Sequence, residues 1–177
     1  MICPGANELT DVLDELRELV QATEGLVVRR RKPARSSKPF PTSEDLEVAL
    51  IPTLGPCGFQ HHEKLRHPRE AALGFEYDFW RPADGVAMEV MGYRADDEVY
   101  KDLLKFHVHE RTTVGVLWVP RYKWISGKRT DTNFRAAVKA VTFADTFMNV
   151  NALVILPYDW QESDQEDCWV LHHVNDA

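Results

Sequence analysis

Residues 74–107 read GFEYDFWRPADGVAMEVMGYRADDEVYKDLLKFH, and this pattern predicts a strand, a tight turn, a second strand and then a helix. Aromatic residues alternate with acidic ones over 75–79, as expected of a strand with one buried face. The turn at 81–85, RPADG, combines a proline that fixes φ with a glycine that accepts positive φ. Apolar residues alternate again over 86–90. The stretch therefore predicts an antiparallel hairpin followed by a helix.

Each strand of this hairpin carries one carboxylate, Asp78 on the first and Glu89 on the second. If Arg81 pairs with Val86 across the turn, Asp78 falls directly opposite Glu89. Facing residues on paired strands lie ~5 Å apart and share a face of the sheet. Two carboxylates placed in this way would form an all-oxygen site suited to Mg²⁺.

Composition indicates a single globular domain. The chain has 177 residues, of which 44% are hydrophobic and 28% charged, so we expect one domain over 1–177 with its core at about 74–157. The sequence has no run of 18 uncharged apolar residues, which predicts no membrane span. Its start lacks the pattern of a signal peptide, so we expect a cytoplasmic protein. The three cysteines form no CxxC pair, so neither a disulfide framework nor a zinc knuckle is expected.

Charge is distributed unevenly along the chain. The net charge of −7 argues against a nucleic-acid partner, but a flexible basic loop is predicted at about 29–43 and an acidic C-terminal tail at about 159–177. A second basic cluster spans 121–129. Either basic segment could contact a polyanion or could simply be solvated. The candidate DNA-binding residues of the loop are Arg29, Arg30, Arg31, Lys32, Arg35 and Lys38.

The remaining pattern predicts an α/β fold, a central mixed β-sheet flanked by helices. A strand, a helix and then a buried strand suggest a parallel crossover between Val90 and Val116. The other predicted elements are a helix from Asn7 to about Ala22, a short strand at 26–28, a helix or strand from Thr42 to Ile51 ending at Pro52, a helix starting at Asp96 or Asp97, a buried strand at 113–119, a helix from Asp131 or Thr132 to Met148, a buried strand at 152–156 and an edge strand at 168–172.

Three histidines precede the hairpin, His61, His62 and His67. The separation of His62 and His67 is one residue too long for a helical zinc-binding pair, and Pro68 interrupts the segment. We therefore expect a polar or DNA-facing surface there rather than a metal site.

Three short motifs relate the chain to a known family: YDF at 77–79, GVAMEV at 85–90 and GVLWVP at 115–120. An acid on each strand of a hairpin, followed by a crossover helix and a buried strand, resembles the core of the PD-(D/E)XK restriction-endonuclease-like superfamily. Residues 74–120 are most similar to the BglII-like type II restriction endonucleases. The resemblance implies that Asp78 and Glu89 are the two metal-binding acids and that the cofactor is Mg²⁺.

The third position of the family motif falls on Met91, where this sequence departs from the pattern. The family usually has lysine at this position, and this branch can have glutamine or glutamate. A thioether neither orients a water molecule nor holds a hard cation. Either the catalytic role has moved to another cation or catalysis is reduced or lost. The candidate replacements are Lys105 first, then Lys101, and also Arg94, while Glu47 or Glu63 could complete the metal site.

The function that follows from this resemblance is Mg²⁺-dependent hydrolysis of phosphodiester bonds in double-stranded DNA by a restriction-endonuclease-like enzyme. One metal site per chain and two DNA strands to cut predict a homodimer. The first alternative is a catalytically silent module of the same fold that binds DNA or protein. A second alternative is a structural protein whose basic loop is only solvated.

Overall fold

The computed structural model describes residues 6–31, 40–66, 74–92, 98–125 and 128–174. The helices are α1 (Ala6–Thr23), α2 (Ser43–Leu54), α3 (Glu98–Val108) and α4 (Thr132–Ala144), with a 3₁₀ turn at Gly55–Cys57 after α2. The strands are β1 (Val27–Arg29), β2 (Gln60–Arg66), β3 (Gly74–Arg81), β4 (Val86–Val90), β5 (Val114–Pro120), β6 (Lys123–Ile125), β7 (Lys128–Thr130), β8 (Ala152–Glu162) and β9 (Cys168–His173).

Within these residues, seven strands form one mixed sheet in the order β1-β9-β8-β5-β4-β3-β2. Strand β5 runs parallel to both β4 and β8, and the other neighbours are antiparallel. The short strands β6 and β7 form a separate ribbon. The predicted α/β class, a central mixed sheet flanked by helices, is therefore confirmed, and so is the parallel pairing on either side of α3. None of the described helices is long and apolar enough to cross a membrane.

Helices cover both faces of the sheet. Apolar residues of α1 and α2 pack against Val86, Met88 and Val90 of β4 on one face. Those of α3 and α4 pack against Ala87 and Met91 on the other. Every residue of β4 and β5 is buried, as expected of central strands that are covered on both sides.

Close approach of α3 to the sheet depends on Gly115 in β5. A Cβ at this position would lie 2.5 Å from Cδ2 of Phe106 in α3, well inside van der Waals contact. The missing side chain therefore lets α3 lie directly on β4 and β5.

Helix α2 begins with a capping box, although Asp45 takes the place of the usual glutamate or glutamine. The Thr42 hydroxyl accepts a hydrogen bond from the Asp45 N–H at 3.2 Å, and the Asp45 carboxylate accepts one from the Thr42 N–H at 2.9 Å. The helix does not end at Pro52 as predicted but continues to Leu54.

The predicted acidic tail and the predicted end of the core near 157 are both wrong. Strand β8 continues through Pro157 to Glu162, and β9 lies between β8 and β1. Buried Tyr158, Trp160 and Leu171 anchor these strands, whereas the acidic residues 164–167 form the exposed connection between them. The strand at 168–172 is confirmed, but β1, not β9, forms the edge of the sheet.

The turn of the β3–β4 hairpin has its predicted form and docks on the segment after α3. Arg81 donates to the Asp84 carboxylate at 2.9 and 2.5 Å across the turn. Gly85 has a φ of +74°, and its carbonyl accepts the Thr113 N–H at 2.8 Å. The turn is thus held to the start of β5 as well as to its own strands.

We predict that Gly85→Ala destabilises the fold by about 3 kcal/mol, because an L side chain there is strained and also collides with backbone. Its Cβ would lie 2.2 Å from the Arg111 carbonyl oxygen. Gly25→Ala is a matched control, since Gly25 has a φ of +76° and nothing within 4 Å of the added carbon. It should cost only about 1 kcal/mol. Urea denaturation measures both changes, and equal losses would contradict the proposed collision.

Candidate metal centre

The β3–β4 hairpin brings Asp78 and Glu89 to a shared cavity. Arg81 pairs with Val86, as the sequence prediction required, and the regular pairing continues to Phe79 and Met88. Beyond Phe79 the side chain of Asp78 contacts β4 directly, since its Oδ2 accepts the Val90 N–H at 2.7 Å. The predicted register is therefore confirmed as far as Phe79, and the carboxylate of Asp78 turns towards β4.

Strand β3 departs from strict alternation at Asp78. Tyr77 packs with Trp80 on the α3–α4 side, whereas Phe79 belongs to the core on the α1–α2 side. The expectation that Tyr77 and Phe79 share one face is therefore wrong. The neighbouring strand β2 is distorted at the same level, where His62 has a φ of +54°.

Helix α3 supplies a lysine and a further acid to this position. The Lys105 Nζ lies 2.8 Å from Glu89 Oε1 and 3.0 Å from Asp102 Oδ1. Glu89 is 3% exposed. Asp102 and Lys105 are three residues apart and so lie on one side of the helix. Lys105 and Lys101 were predicted from the sequence but Asp102 was not, although its polar side chain repeats at helical spacing with theirs.

Helix α2 closes the other side of the cavity with Ser43 and Glu47. The backbone approaches closely here, since a Cβ on Gly92 would lie 3.3 Å from the Ser43 nitrogen. Of the two acids proposed to complete the site, Glu47 lines the cavity, and Glu63 is not among its lining residues. The cavity has a volume of about 280 Å³, and its charged lining residues are Glu47, Asp78, Glu89, Glu98, Lys101, Asp102 and Lys105.

Negative charge exceeds positive charge in this cavity, with five carboxylates against two ammonium groups. Burial, together with the charge of Glu47, raises the pKa of Asp78 to about 6. Burial raises the pKa of Asp102 to about 6 even though Lys105 opposes the shift. Burial and the charges of Asp102 and Asp78 raise the pKa of Glu89 well above its ordinary value. A divalent cation would relieve this repulsion, and carboxylate oxygens are the ligands that Mg²⁺ prefers.

The charge of Lys105 is stabilised by the acids beside it. Burial alone would lower the pKa of Lys105, but the Glu89 and Asp102 carboxylates outweigh burial and raise it. The lysine is therefore a fixed positive charge at the carboxylate pair.

Met91 lines the same cavity but is a buried core residue, 5% exposed. Its N–H donates to the Trp118 carbonyl at 2.8 Å, and its carbonyl accepts from the Tyr158 hydroxyl at 2.7 Å. Its side chain packs in the α3–α4 core. Met91, at the third position of the predicted motif, is therefore a core residue. The cation near Glu89 is instead Lys105 of α3.

A group of nitrogen and oxygen ligands adjoins the cavity. The Glu47 Oε2 lies 2.9 Å from His62 Nε2 and 3.5 Å from His61 Nε2. The rings of the two histidines stack with their centroids 3.9 Å apart. No metal site was predicted among these histidines because their spacing does not fit a helical pair, whereas His61 and His62 lie on β2 beside a helical glutamate. His67 lies outside the described residues.

The basic loop is only partly described. Arg29 is exposed, Arg30 pairs with Asp167, and Arg31 lies 3.2 Å from Asp45 and 3.1 Å from Glu44. Arg30 and Arg31 therefore make ion pairs within the chain. The candidates Lys32, Arg35 and Lys38 fall outside the described residues, as does Arg94.

The second basic cluster lies on and beside the β6–β7 ribbon. Arg121 is 3.6 Å from Asp131 and stacks over the Phe134 ring at 4.5 Å, and Arg129 pairs with Asp159. These cations also have partners within the chain.

Comparison of the chain with models of protein families, with curated proteins and with solved structures finds no match. The geometry of the site therefore provides the argument for function.

We predict that Asp78→Asn stabilises the protein at neutral pH, because it removes a carboxylate whose ionisation is unfavourable in the fold. The asparagine oxygen can still accept the Val90 N–H. The Asp78 pKa rises from 3.8 to about 6 on folding, so the folded state binds more protons than the unfolded state between these values. Wild-type stability from this group therefore falls as the pH rises through that window and stays low above it.

The expected gain at pH 8 is on the order of 1–2 kcal/mol, shrinking towards zero below about pH 4. Denaturation curves of both proteins across this pH range measure it. Asp164→Asn, at an exposed position, is the control and should change little. A loss of stability at pH 8 in Asp78→Asn would mean that the buried charge is not unfavourable.

Proposed function

We propose that the protein is a Mg²⁺-dependent endonuclease that hydrolyses phosphodiester bonds in double-stranded DNA. The observation that supports this most directly is the group formed by buried Glu89 and half-buried Asp78 and Asp102, with the Lys105 ammonium 2.8 Å from Glu89. Carboxylates on adjacent strands with one lysine beside them suit metal-assisted phosphodiester hydrolysis. The resemblance of residues 74–120 to restriction endonucleases is consistent with the same chemistry.

In this proposal Asp78 and Glu89 would hold the metal, and a bound ion would supply an activated water and neutralise charge on the phosphate. Lys105 stabilises the negative charge that develops on the phosphate, or orients the attacking water. Asp102 is a positioning residue, because its carboxylate lies 3.0 Å from the Lys105 ammonium and holds it beside Glu89.

Lys105 replaces the cation that the motif lacks at Met91. Residue 91 follows Glu89 on the same side of β4, and α3 packs on that side. Lys105 on α3 therefore contacts the Glu89 carboxylate. A lysine at position 91 would approach the same carboxylate from the strand. Lys101 lines the cavity as well and is the second candidate.

Exposed Arg29, together with Lys32, Arg35 and Lys38, provides the proposed contacts to the DNA backbone. We further propose that two copies of the chain act together, since a single cavity such as this one would cut one strand at a time.

A catalytically silent module that binds DNA remains the second candidate function, because Met91 offers no catalytic group at the motif position. The two candidates predict different results in one assay. The first gives metal-dependent cleavage, and the second gives salt-dependent DNA binding without cleavage.

The test is single-turnover cleavage of unmethylated plasmid with Mg²⁺ and, separately, Mn²⁺. We expect cleavage by the wild type, none by Glu89→Gln, and a rate lowered by about a hundredfold in Lys105→Ala, because losing one transition-state contact costs ~3 kcal/mol. DNA affinity of Lys105→Ala should stay nearly constant. Lys101→Ala is the matched variant on the same helix, and its cleavage rate should fall less than that of Lys105→Ala.

Unchanged cleavage in both lysine variants would contradict the migration of the catalytic cation. No cleavage by the wild type with either metal would leave the silent module as the function. Linear product formed without a nicked intermediate would support two copies acting together, whereas nicked product alone would contradict it.

A separate prediction concerns the basic loop. Replacing Arg29, Lys32 and Arg35 together by alanine should weaken binding to all DNA sequences and flatten the dependence of log K on log salt by about 0.9 for each lost phosphate contact. This set avoids Arg30 and Arg31, whose ion pairs within the chain support the fold. Binding titrations at several salt concentrations measure the slope. An unchanged slope would mean that the loop does not contact the DNA phosphates.

A further inference from the structure

We propose that Glu47, His61 and His62 form a second metal site, one that takes a divalent transition-metal ion of the Zn²⁺ or Co²⁺ type. The site adjoins the carboxylate cavity and differs from it in ligand chemistry. The inference goes beyond the proposed nuclease activity and stands on the geometry of these three side chains.

The ligand atoms of Glu47, His61 and His62 lie close enough together to bind one ion. All three side chains present a ligand atom within 4.8 Å of the others, and in the described part of the chain no other group of three His, Cys, Asp or Glu does so. Ligands ~2.0–2.1 Å from a tetrahedral Zn²⁺ lie about 3.3 Å from one another. The distances from Glu47 Oε2 to the two Nε2 atoms, 2.9 and 3.5 Å, lie on either side of this value.

An unusual backbone conformation at His62 brings the two imidazoles together. Consecutive residues of a strand normally point to opposite faces of the sheet, yet the rings of His61 and His62 stack at 3.9 Å with an interplanar angle of 22°. The φ of +54° at His62 breaks the alternation. Such a conformation is unfavourable for a residue with a side chain and is found preferentially at functional sites.

An ion pair between His62 and Glu47 does not account for the position of His61 Nε2. His62 Nε2 hydrogen-bonds Glu47 at 2.9 Å, which satisfies a simple pair. His61 Nε2 is buried and has no hydrogen-bond partner among the described residues, although it faces the same carboxylate oxygen. A metal ion between the three side chains would give this nitrogen a ligand bond.

The ligand set then decides the class of metal. Two imidazole nitrogens and one carboxylate suit Zn²⁺, Co²⁺ or a similar ion, whereas Mg²⁺ prefers oxygen ligands and water. Three protein ligands leave the fourth tetrahedral position for a solvent molecule. The His62 side chain is 46% exposed, so an ion can enter from solvent.

Glu47 connects this site to the proposed Mg²⁺ site. It is itself 5% exposed and also lines the cavity with Asp78 and Glu89. One carboxylate thus faces nitrogen ligands on one side and oxygen ligands on the other. The chain can hold two metals of different kinds side by side.

The experiment is a titration of metal-free, chelator-treated protein with Co²⁺, followed by the visible absorption of the bound ion. We expect a tetrahedral spectrum in the wild type that a large excess of Mg²⁺ does not remove and that Zn²⁺ abolishes. His61→Ala and His62→Ala should each bind Co²⁺ at least about tenfold more weakly.

His172→Ala is the matched control, since His172 pairs with Glu24 at 2.6 Å on β9, outside the Glu47–His61–His62 group, and it should bind Co²⁺ as the wild type does. Circular dichroism verifies that the variants are folded, and His62→Gln provides a second variant of similar size. Equal Co²⁺ affinity in the wild type and the folded histidine variants would overturn the site, as would displacement of Co²⁺ by Mg²⁺. Because the readout is metal binding, a wild type that binds Co²⁺ but cuts no DNA contradicts the nuclease proposal and leaves this one supported.

Discussion

The register of one hairpin controls the whole site. With Arg81 paired to Val86, Asp78 and Glu89 line one cavity, and a slip of one residue would turn one of them to the other face of the sheet. The turn that sets this register is closed by the Arg81–Asp84 ion pair and docks on the Thr113 N–H. The geometry of the carboxylates therefore depends on a turn at the opposite end of the same two strands.

Much of this arrangement can be read from local sequence. The alternation over 86–90, the uninterrupted apolar run of β5 and the RPADG turn each reflect one element and its immediate neighbours, and each predicts correctly. The role of Glu47 could be suggested but not chosen over Glu63, because the choice depends on how α2 docks on the sheet. Asp102 was missed since helical spacing shows which residues share a side but not which side meets a cavity.

The errors have a common cause in contacts between distant segments. The acidic residues at 164–167 resemble a solvated tail, yet the strands on both sides of them pair because Tyr158, Trp160 and Leu171 are buried against the rest of the core. The positive φ at His62 also could not be predicted from the alternation of polar and apolar residues. It places two neighbouring histidines on one side of a strand, which is the arrangement that alternation rules out.

Burying several carboxylates around one lysine is costly for a fold, because each charge loses hydration that a single ammonium cannot replace. The raised pKa values of Asp78, Glu89 and Asp102 are the sign of that cost. A purely structural cluster would be expected to balance its charges. An unbalanced cluster on central strands is what the proposed cation site would require. The apolar Met91 is consistent with this proposal, since another fixed cation would reduce the charge available to attract a metal, while Lys105 on α3 still reaches Glu89.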